Sequence, residues 1–224
     1  MISIIYLTNR ADPKFEWFVD SLFNQTSEAD REHIELIFVD YVMCLPGNEE
    51  RRALLAGIIK DRFKYLHVPP KPNIYQGERR KTTGEYFSTA NARNTGFAFS
   101  TADYVAFVDD VSILMPDWFS HILNGQSRNI ILCGTYEKHM AMKVENGVVV
   151  SSTLNPNGMD SRRYRYKKVS LVDGGMFYGC SCAMPAQDMI DVNGFDELCD
   201  SIGGEDWQFG RRLNHAGKKI FFDP

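Results

Sequence analysis

Two pairs of adjacent acids, Asp109-Asp110 and Glu205-Asp206, sit in surroundings that could make them reactive. The first pair ends the apolar run Tyr104–Val108, whose β-branched and aromatic residues read as a buried strand. A fully buried strand cannot carry two acids unpaired, so this one delivers them to the carboxyl edge of a sheet, where open α/β sheets bind ligands. Adjacent hard oxygen ligands suit Mg²⁺ or Mn²⁺ shared with a substrate phosphate. The same acids would equally serve to turn the chain and cap the next helix. The second pair follows Gly203-Gly204 and opens a helix. There it either stabilises the helix dipole, by ~0.3–1 kcal/mol, or supplies a general base to a nearby hydroxyl. The two glycines allow close approach of backbone to a substrate.

The intervening pattern predicts the elements that position these acids. Ile2–Leu7, Ile34–Val39 and Phe63–Val68 read as strands, with helices from about Pro13 to Phe23 and from Glu49 to Ile59. This alternation implies a largely parallel sheet with right-handed crossovers. Pro69–Thr83, which contains Glu78-Arg79-Arg80-Lys81, reads as a loop too long for a simple connector, and Glu85–Phe99 as a helix feeding the acid-bearing strand. Pro116 is expected at the first turn of a helix beginning near Met115, before a strand over Asn129–Gly134. Met140–Ser152 alternates around Glu145-Asn146-Gly147, a hairpin signal. The basic and aromatic stretch Arg162–Lys168 is compatible with phosphate or nucleic-acid contact, but a half-exposed strand gives the same alternation and is the preferred reading. A last helix runs to about Ala216, with Gly217 at its C-cap and His215 in its final turn, before a strand over Lys219–Phe222.

Composition sets outer limits. A chain of 224 residues, 44% hydrophobic and 24% charged, fits one large α/β domain. The net charge of −4 gives no support for a nucleic-acid surface. No apolar run approaches the ~18 residues that span a bilayer, so no transmembrane segment is expected. Five cysteines, an odd number, argue against a disulfide framework and for a reducing, cytoplasmic setting. Cys180 and Cys182 have no histidine nearby and read as small buried apolar residues rather than zinc ligands.

No G-x-G-x-x-G follows the first strand and no P-loop motif occurs, which argues against a dehydrogenase or P-loop NTPase. Four pieces taken together instead resemble the GT-A glycosyltransferases of family 2: Thr8-Asn9-Arg10, Asp40, Asn91-Ala92-Arg93-Asn94 before Asp109-Asp110, and Gly203-Gly204-Glu205-Asp206. The tail, from Gly174-Gly175-Met176 through Val192-Asn193-Gly194-Phe195-Asp196 to Arg212-Leu213, is also similar to the galactosyltransferase region of family 7. The resemblance implies an α/β/α sandwich over residues 1–224, with a mostly parallel central sheet and a smaller mixed sheet. Residues 1–112 would bind the nucleotide sugar and 113–224 the acceptor.

It further implies an inverting transfer from a nucleotide diphosphate sugar, a UDP-sugar in first place, to a saccharide or other hydroxyl acceptor. Thr8, Asn9, Arg10 and Asp40 would hold the nucleoside, and Arg93 would lie near base or diphosphate. Asp109 would contact the ribose side and Asp110, with Asp109 beside it, the Mn²⁺ or Mg²⁺. Asp206 would be the general base, with Gly204, Glu205 and Trp207 binding the acceptor. The usual Asp-x-Asp reads Asp109-Asp110-Val111 here, and the histidine that related enzymes place beyond the final strand is not in this sequence. A sugar nucleotidyltransferase, a non-catalytic carbohydrate- or nucleotide-binding module of the same fold, and a transferase acting on nucleic-acid bases are the alternatives.

Overall fold

The computed structural model describes residues 1–44, 47–72, 88–199 and 203–224. Among these, eight strands form one sheet in the order β3-β2-β1-β4-β9-β5-β10-β8. The strands are β1 (Ile2–Thr8), β2 (Ile34–Asp40), β3 (Lys64–Val68), β4 (Tyr104–Asp109), β5 (Ile131–Gly134), β8 (Ser170–Val172), β9 (Ser181–Pro185) and β10 (Ile220–Asp223). Between β5 and β8, β6 (Glu137–Glu145) and β7 (Val148–Met159) pair only with each other.

The first half follows the expected plan: β1, β2, β3 and β4 all pair in parallel. The second half mixes directions within the main sheet itself. There β9 runs antiparallel between β4 and β5, while β10 pairs parallel with β5 and antiparallel with β8. The smaller sheet is accordingly an antiparallel hairpin rather than a mixed sheet, because the later strands join the central one. Its turn places Asn146 at φ 50 and Gly147 at φ 72, the two positive values of a type I′ turn. Asn24 Nδ2 donates to Asn146 O (2.7 Å), fastening the hairpin tip to the first helix of the other half.

Helices cover both faces, completing the three-layer sandwich. The period-2 alternation of each strand divides the core between them. One face carries Ile5, Leu7, Ile37, Val39, Val105 and Phe107 against α4 (Thr89–Phe99), α7 (Ala186–Asp191) and α8 (Glu205–His215). The other carries Ile4, Tyr6, Leu36, Phe38 and Ala106 against α1 (Phe15–Phe23), α3 (Glu49–Ile59) and α5 (Trp118–Ser127). Two short helices, α2 (Glu28–Arg31) and α6 (Arg162–Arg165), complete the set among the described residues.

Three expectations are corrected. The helix after the acid pair begins at Trp118 behind Asp117, so Pro116 lies in the preceding turn. The first helix likewise starts at Phe15, because Lys14 sits at φ 56. The Arg162–Lys168 stretch contains α6 and not an alternating strand. Arg162 is buried, pairing with both Asp160 oxygens (Nε–Oδ1 3.0 Å, Nη2–Oδ2 2.6 Å) between the rings of Tyr178 and Phe222. An apolar stripe is what a helix needs to be read from sequence, and a buried arginine masks it. Residues 73–83 of the expected loop, including Glu78–Lys81, and 85–87 of the expected helix lie outside the described residues.

Candidate functional site

Strand register assembles the first part of the site. Thr8 pairs with Asp40 and Leu7 with Asp109, so β1, β2 and β4 end side by side at one sheet edge. Thr8, Asp40, Asp109 and the adjoining Asp110 thus meet there, and the carboxylates among them differ in how far they are engaged.

Asp40 is completely buried and its carboxylate is fully engaged. Oδ2 accepts from Arg51 Nε (2.7 Å) and pairs with His67 Nε2 (3.0 Å), while Oδ1 accepts from Val42 N (3.0 Å) and Arg51 Nη2 (3.2 Å). Burial would raise this carboxyl, but the bonds from His67 and Arg51 outweigh it and hold it below its ordinary value. Arg51 also donates to Arg10 O (2.7 Å) and Ala11 O (2.6 Å), so the network fixes the loop after β1. Sequence reading missed Arg51 and His67. Both come from separate elements, α3 and β3, and only the folded register brings them to Asp40.

Asp109 and Asp110 are more open. The Asp109 side chain is 43% exposed and accepts from Arg93 Nη2 (3.1 Å). Asp110 accepts from Thr8 Oγ1 (2.6 Å) and Arg10 Nε (3.1 Å). The turn beyond them is held in an unusual backbone state: Val111 has φ 54, a region disfavoured for a β-branched residue. Its N–H donates to both Pro13 O (3.1 Å) and the Tyr6 hydroxyl (3.0 Å), and Ser112 Oγ donates to Asp109 O (2.6 Å). Strain imposed where two acids emerge is characteristic of functional positions. Asn9 lies exposed beside them.

The second acid pair arrives on α8. Gly203 and Gly204 have φ 107 and 91, values that disfavour any side chain, and so turn the chain sharply into the helix. Glu205 faces inward, 4% exposed, with Oε1 accepting from Arg93 Nη1 (2.8 Å) and Oε2 from Gly203 N (3.0 Å). The residue expected to bind the acceptor thus has its carboxylate turned to Arg93 and the Gly203 amide. Burial favours the neutral acid, but Arg93 overrides it and lowers the pKa. Asp206 is half-buried, accepting from Gly179 N (3.3 Å) and from Trp207 N (2.7 Å). Trp207 is 51% exposed, with the Arg211 guanidinium 5.3 Å from its ring.

Arg93 ties the two acid pairs together. It is almost wholly buried, stacks 5.2 Å over Phe195, and bonds Asp109 on one side and Glu205 on the other. Burial would favour its neutral form, yet these two carboxylates hold it firmly charged. Gly179 packs directly on the guanidinium, where an added Cβ would lie 2.6 Å from Cζ. The adjoining Cys180 O accepts from Asp109 N (3.2 Å). One two-residue turn, Gly179-Cys180, therefore touches both Asp109 and Asp206. Cys182 is buried and Cys180 half-buried, as small apolar residues would be.

Among the described residues no three His, Cys, Asp or Glu side chains converge as a self-sufficient metal cage. The donor set does fit a cation such as Mg²⁺ or Mn²⁺, which takes one or two carboxylates and completes its shell with water and phosphate. Asp110 and Asp109 are the carboxylates available at this edge. Among the described residues, no helix is long and apolar enough to cross a membrane.

Comparison with known proteins bears on the fold. Residues 79–186 match the model of glycosyl transferase family 2, and residues 159–223 that of the N-terminal domain of galactosyltransferase. No curated protein matches the chain in sequence. The crystal structure of S. aureus TarS 1–349 superposes with a TM-score of 0.65 at 14% identity, over 99% of this chain and 57% of that one. The same protein in complex with UDP gives 0.66 at 13% identity, with coverage of 99% and 57%. The mannosyltransferase PcManGT from Pyrobaculum calidifontis, in complex with GDP-Man and Mn²⁺, gives 0.62 at 14% identity, over 100% of this chain and 54% of that one. The chain thus spans little more than half the length of these solved structures. Parts of its sequence thus match two glycosyltransferase family models, and its fold is the GT-A fold of the superposed structures.

Proposed function

We propose that the chain is the catalytic domain of an inverting glycosyltransferase that takes its sugar from a nucleotide diphosphate donor, a UDP-sugar foremost. The carrying observation is that Asp109 and Asp206, from opposite halves of the sequence, both contact the Gly179-Cys180 turn, while Arg93 joins Asp109 to Glu205, the neighbour of Asp206. Direct displacement calls for carboxylates in two places, one set to hold a cation and one to accept a proton, and this arrangement offers both.

On the donor side, the loop Thr8-Asn9-Arg10 lines the nucleoside, held in shape from beneath by Asp40 and Arg51. Asp109 faces the ribose, and Asp110 with Asp109 would hold Mn²⁺ or Mg²⁺. A bound divalent cation would stabilise the negative charge that develops on the departing diphosphate. On the acceptor side, Asp206 takes the proton from the attacking hydroxyl, which gathers nucleophilic character as the sugar–phosphate bond breaks. Its placement at the helix start, with the Gly204 backbone and the exposed Trp207 ring beside it, suits an acceptor sugar. Arg93 does not reach the donor in this reading; it fixes Asp109 relative to α8.

The test is thermal unfolding with UDP, GDP, CMP and dTDP, each with and without Mn²⁺. A ligand bound only by the native state at ~100-fold excess over Kd adds about 2.7 kcal/mol. A shift with one nucleotide, dependent on Mn²⁺ and lost in Asp110→Asn, supports the transferase. No shift with any nucleotide overturns it.

A further inference from the structure

We infer that Arg10 is a resident counter-cation of Asp110, which hands that carboxylate over when a donor arrives and then grips the donor's diphosphate. The inference rests on the donor-site reading given above. Its basis is an asymmetry within one ion pair. Asp110 is only 15% exposed and is pinned by Thr8 Oγ1 at 2.6 Å, whereas the Arg10 side chain is 61% exposed. If the pair separates, the arginine is the partner that leaves.

The main chain beneath Arg10 does not have to move for this to happen. Its N–H donates to Thr8 Oγ1 (3.1 Å), and its carbonyl accepts from the buried Arg51 (2.7 Å). The guanidinium therefore swings from a fixed base. It also has donors to spare, since only Nε is bonded and the two terminal nitrogens bond no described residue. That contrasts with the neighbouring arginines. Arg51 and Arg93 are buried and committed to Asp40 and to Asp109 with Glu205. A planar fork with unused N–H groups matches two phosphate oxygens.

Two consequences follow. In the free protein the guanidinium competes with any divalent cation for Asp110, so cation binding alone is weakened by the pair. Once the diphosphate is present, Arg10 exchanges a single carboxylate contact for a more highly charged partner, and donor and cation bind together. A half-exposed ion pair is a weak competitor, so removing it should tighten cation binding by roughly two- to five-fold.

The experiment titrates Mn²⁺ into the full chain without nucleotide, read by water-proton relaxation, and then titrates UDP at saturating Mn²⁺. It compares the parent with Arg10→Met and Asp110→Asn. Opposite signs are expected for Arg10→Met: Mn²⁺ alone binds several-fold tighter and UDP binds at least ten-fold weaker. Equal effects of the same sign on both ligands, or no effect on either, would overturn the inference while Asp110→Asn still abolishes Mn²⁺ binding. If Asp110→Asn alters neither ligand, the donor-site reading fails and the inference with it.

Discussion

Asp40 ends β2 and Asp110 follows the end of β4, on either side of β1 at the same sheet edge, yet their surroundings are opposite. Every lone-pair direction of Asp40 is engaged by Arg51, His67 and the Val42 amide, away from solvent. Asp110 is held by one hydroxyl and by one guanidinium that solvent can reach. Under the proposed function, the difference separates an acid that builds the site from an acid that works in it. An ion pair closed on all sides holds geometry, whereas one partner with open donors can be exchanged for a ligand. The same division holds for the second pair, where Glu205 is enclosed on Arg93 and Asp206, among the described residues, accepts from backbone amides alone.

The comparison breaks most readily at Arg93. Arg93→Met leaves Glu205 buried without its cation, and breaking a buried pair typically costs about 3–5 kcal/mol. Because Asp109 is partly solvated, the lower end is expected, read from urea unfolding at neutral pH. Arg93→Met combined with Glu205→Gln should recover part of the loss, since the unpaired charge is then gone. No recovery would mean that Arg93 acts through packing on Phe195 and not through the pair.

Asp40→Asn should have a smaller effect of the same kind, about 1–3 kcal/mol, by leaving Arg51 partly unsatisfied. Its signature lies in the pH dependence. Asp40 and Glu205 both titrate below their ordinary values, so their stabilisation is fully present above the ordinary carboxyl range. It is lost as pH falls through the lowered folded-state values. The melting temperature of the parent should therefore drop with acid below about pH 4, and Asp40→Asn should flatten that slope. An unchanged slope would contradict a closed, charged Asp40.

The smallest effect is expected at His121, outside either acid pair. Its Nδ1 lies 2.6 Å from Asp223 Oδ2, and that bond raises its pKa above 6.5. The sign is reversed: this stabilisation is present below the unfolded value and is lost as pH rises through the raised folded one. With the ring 42% exposed, His121→Ala should cost less than about 1 kcal/mol, and only on the acid side, measured by melts at pH 6 and 9.

Much of the first half was legible in the sequence, because each β-α-β unit carries its own period and β1, β2, β3 and α3 fall within a residue of where they read. The edge acids were legible for the same reason: polar residues ending apolar strands have few places to go. The second half was less so. Its strands enter the main sheet from both directions, and nothing local to Ser181–Pro185 states that it inserts between β4 and β5. Residue roles were the least legible. Whether Asp40 or Glu205 faces a ligand depends on Arg51, His67 and Arg93, which are brought from other elements by tertiary packing alone. The buried Arg162, between two rings, is hidden in the same way.

The division of labour between the two acid sites is tested most directly by measuring UDP affinity and UDP release from a UDP-sugar in the parent, Asp110→Asn and Asp206→Asn. The account predicts that Asp206→Asn binds UDP as the parent does while release to acceptor falls by about 10²–10⁴-fold. Asp110→Asn should lose Mn²⁺-dependent binding itself. An Asp206→Asn chain that releases UDP at the parental rate, or one that fails to bind UDP, would contradict it.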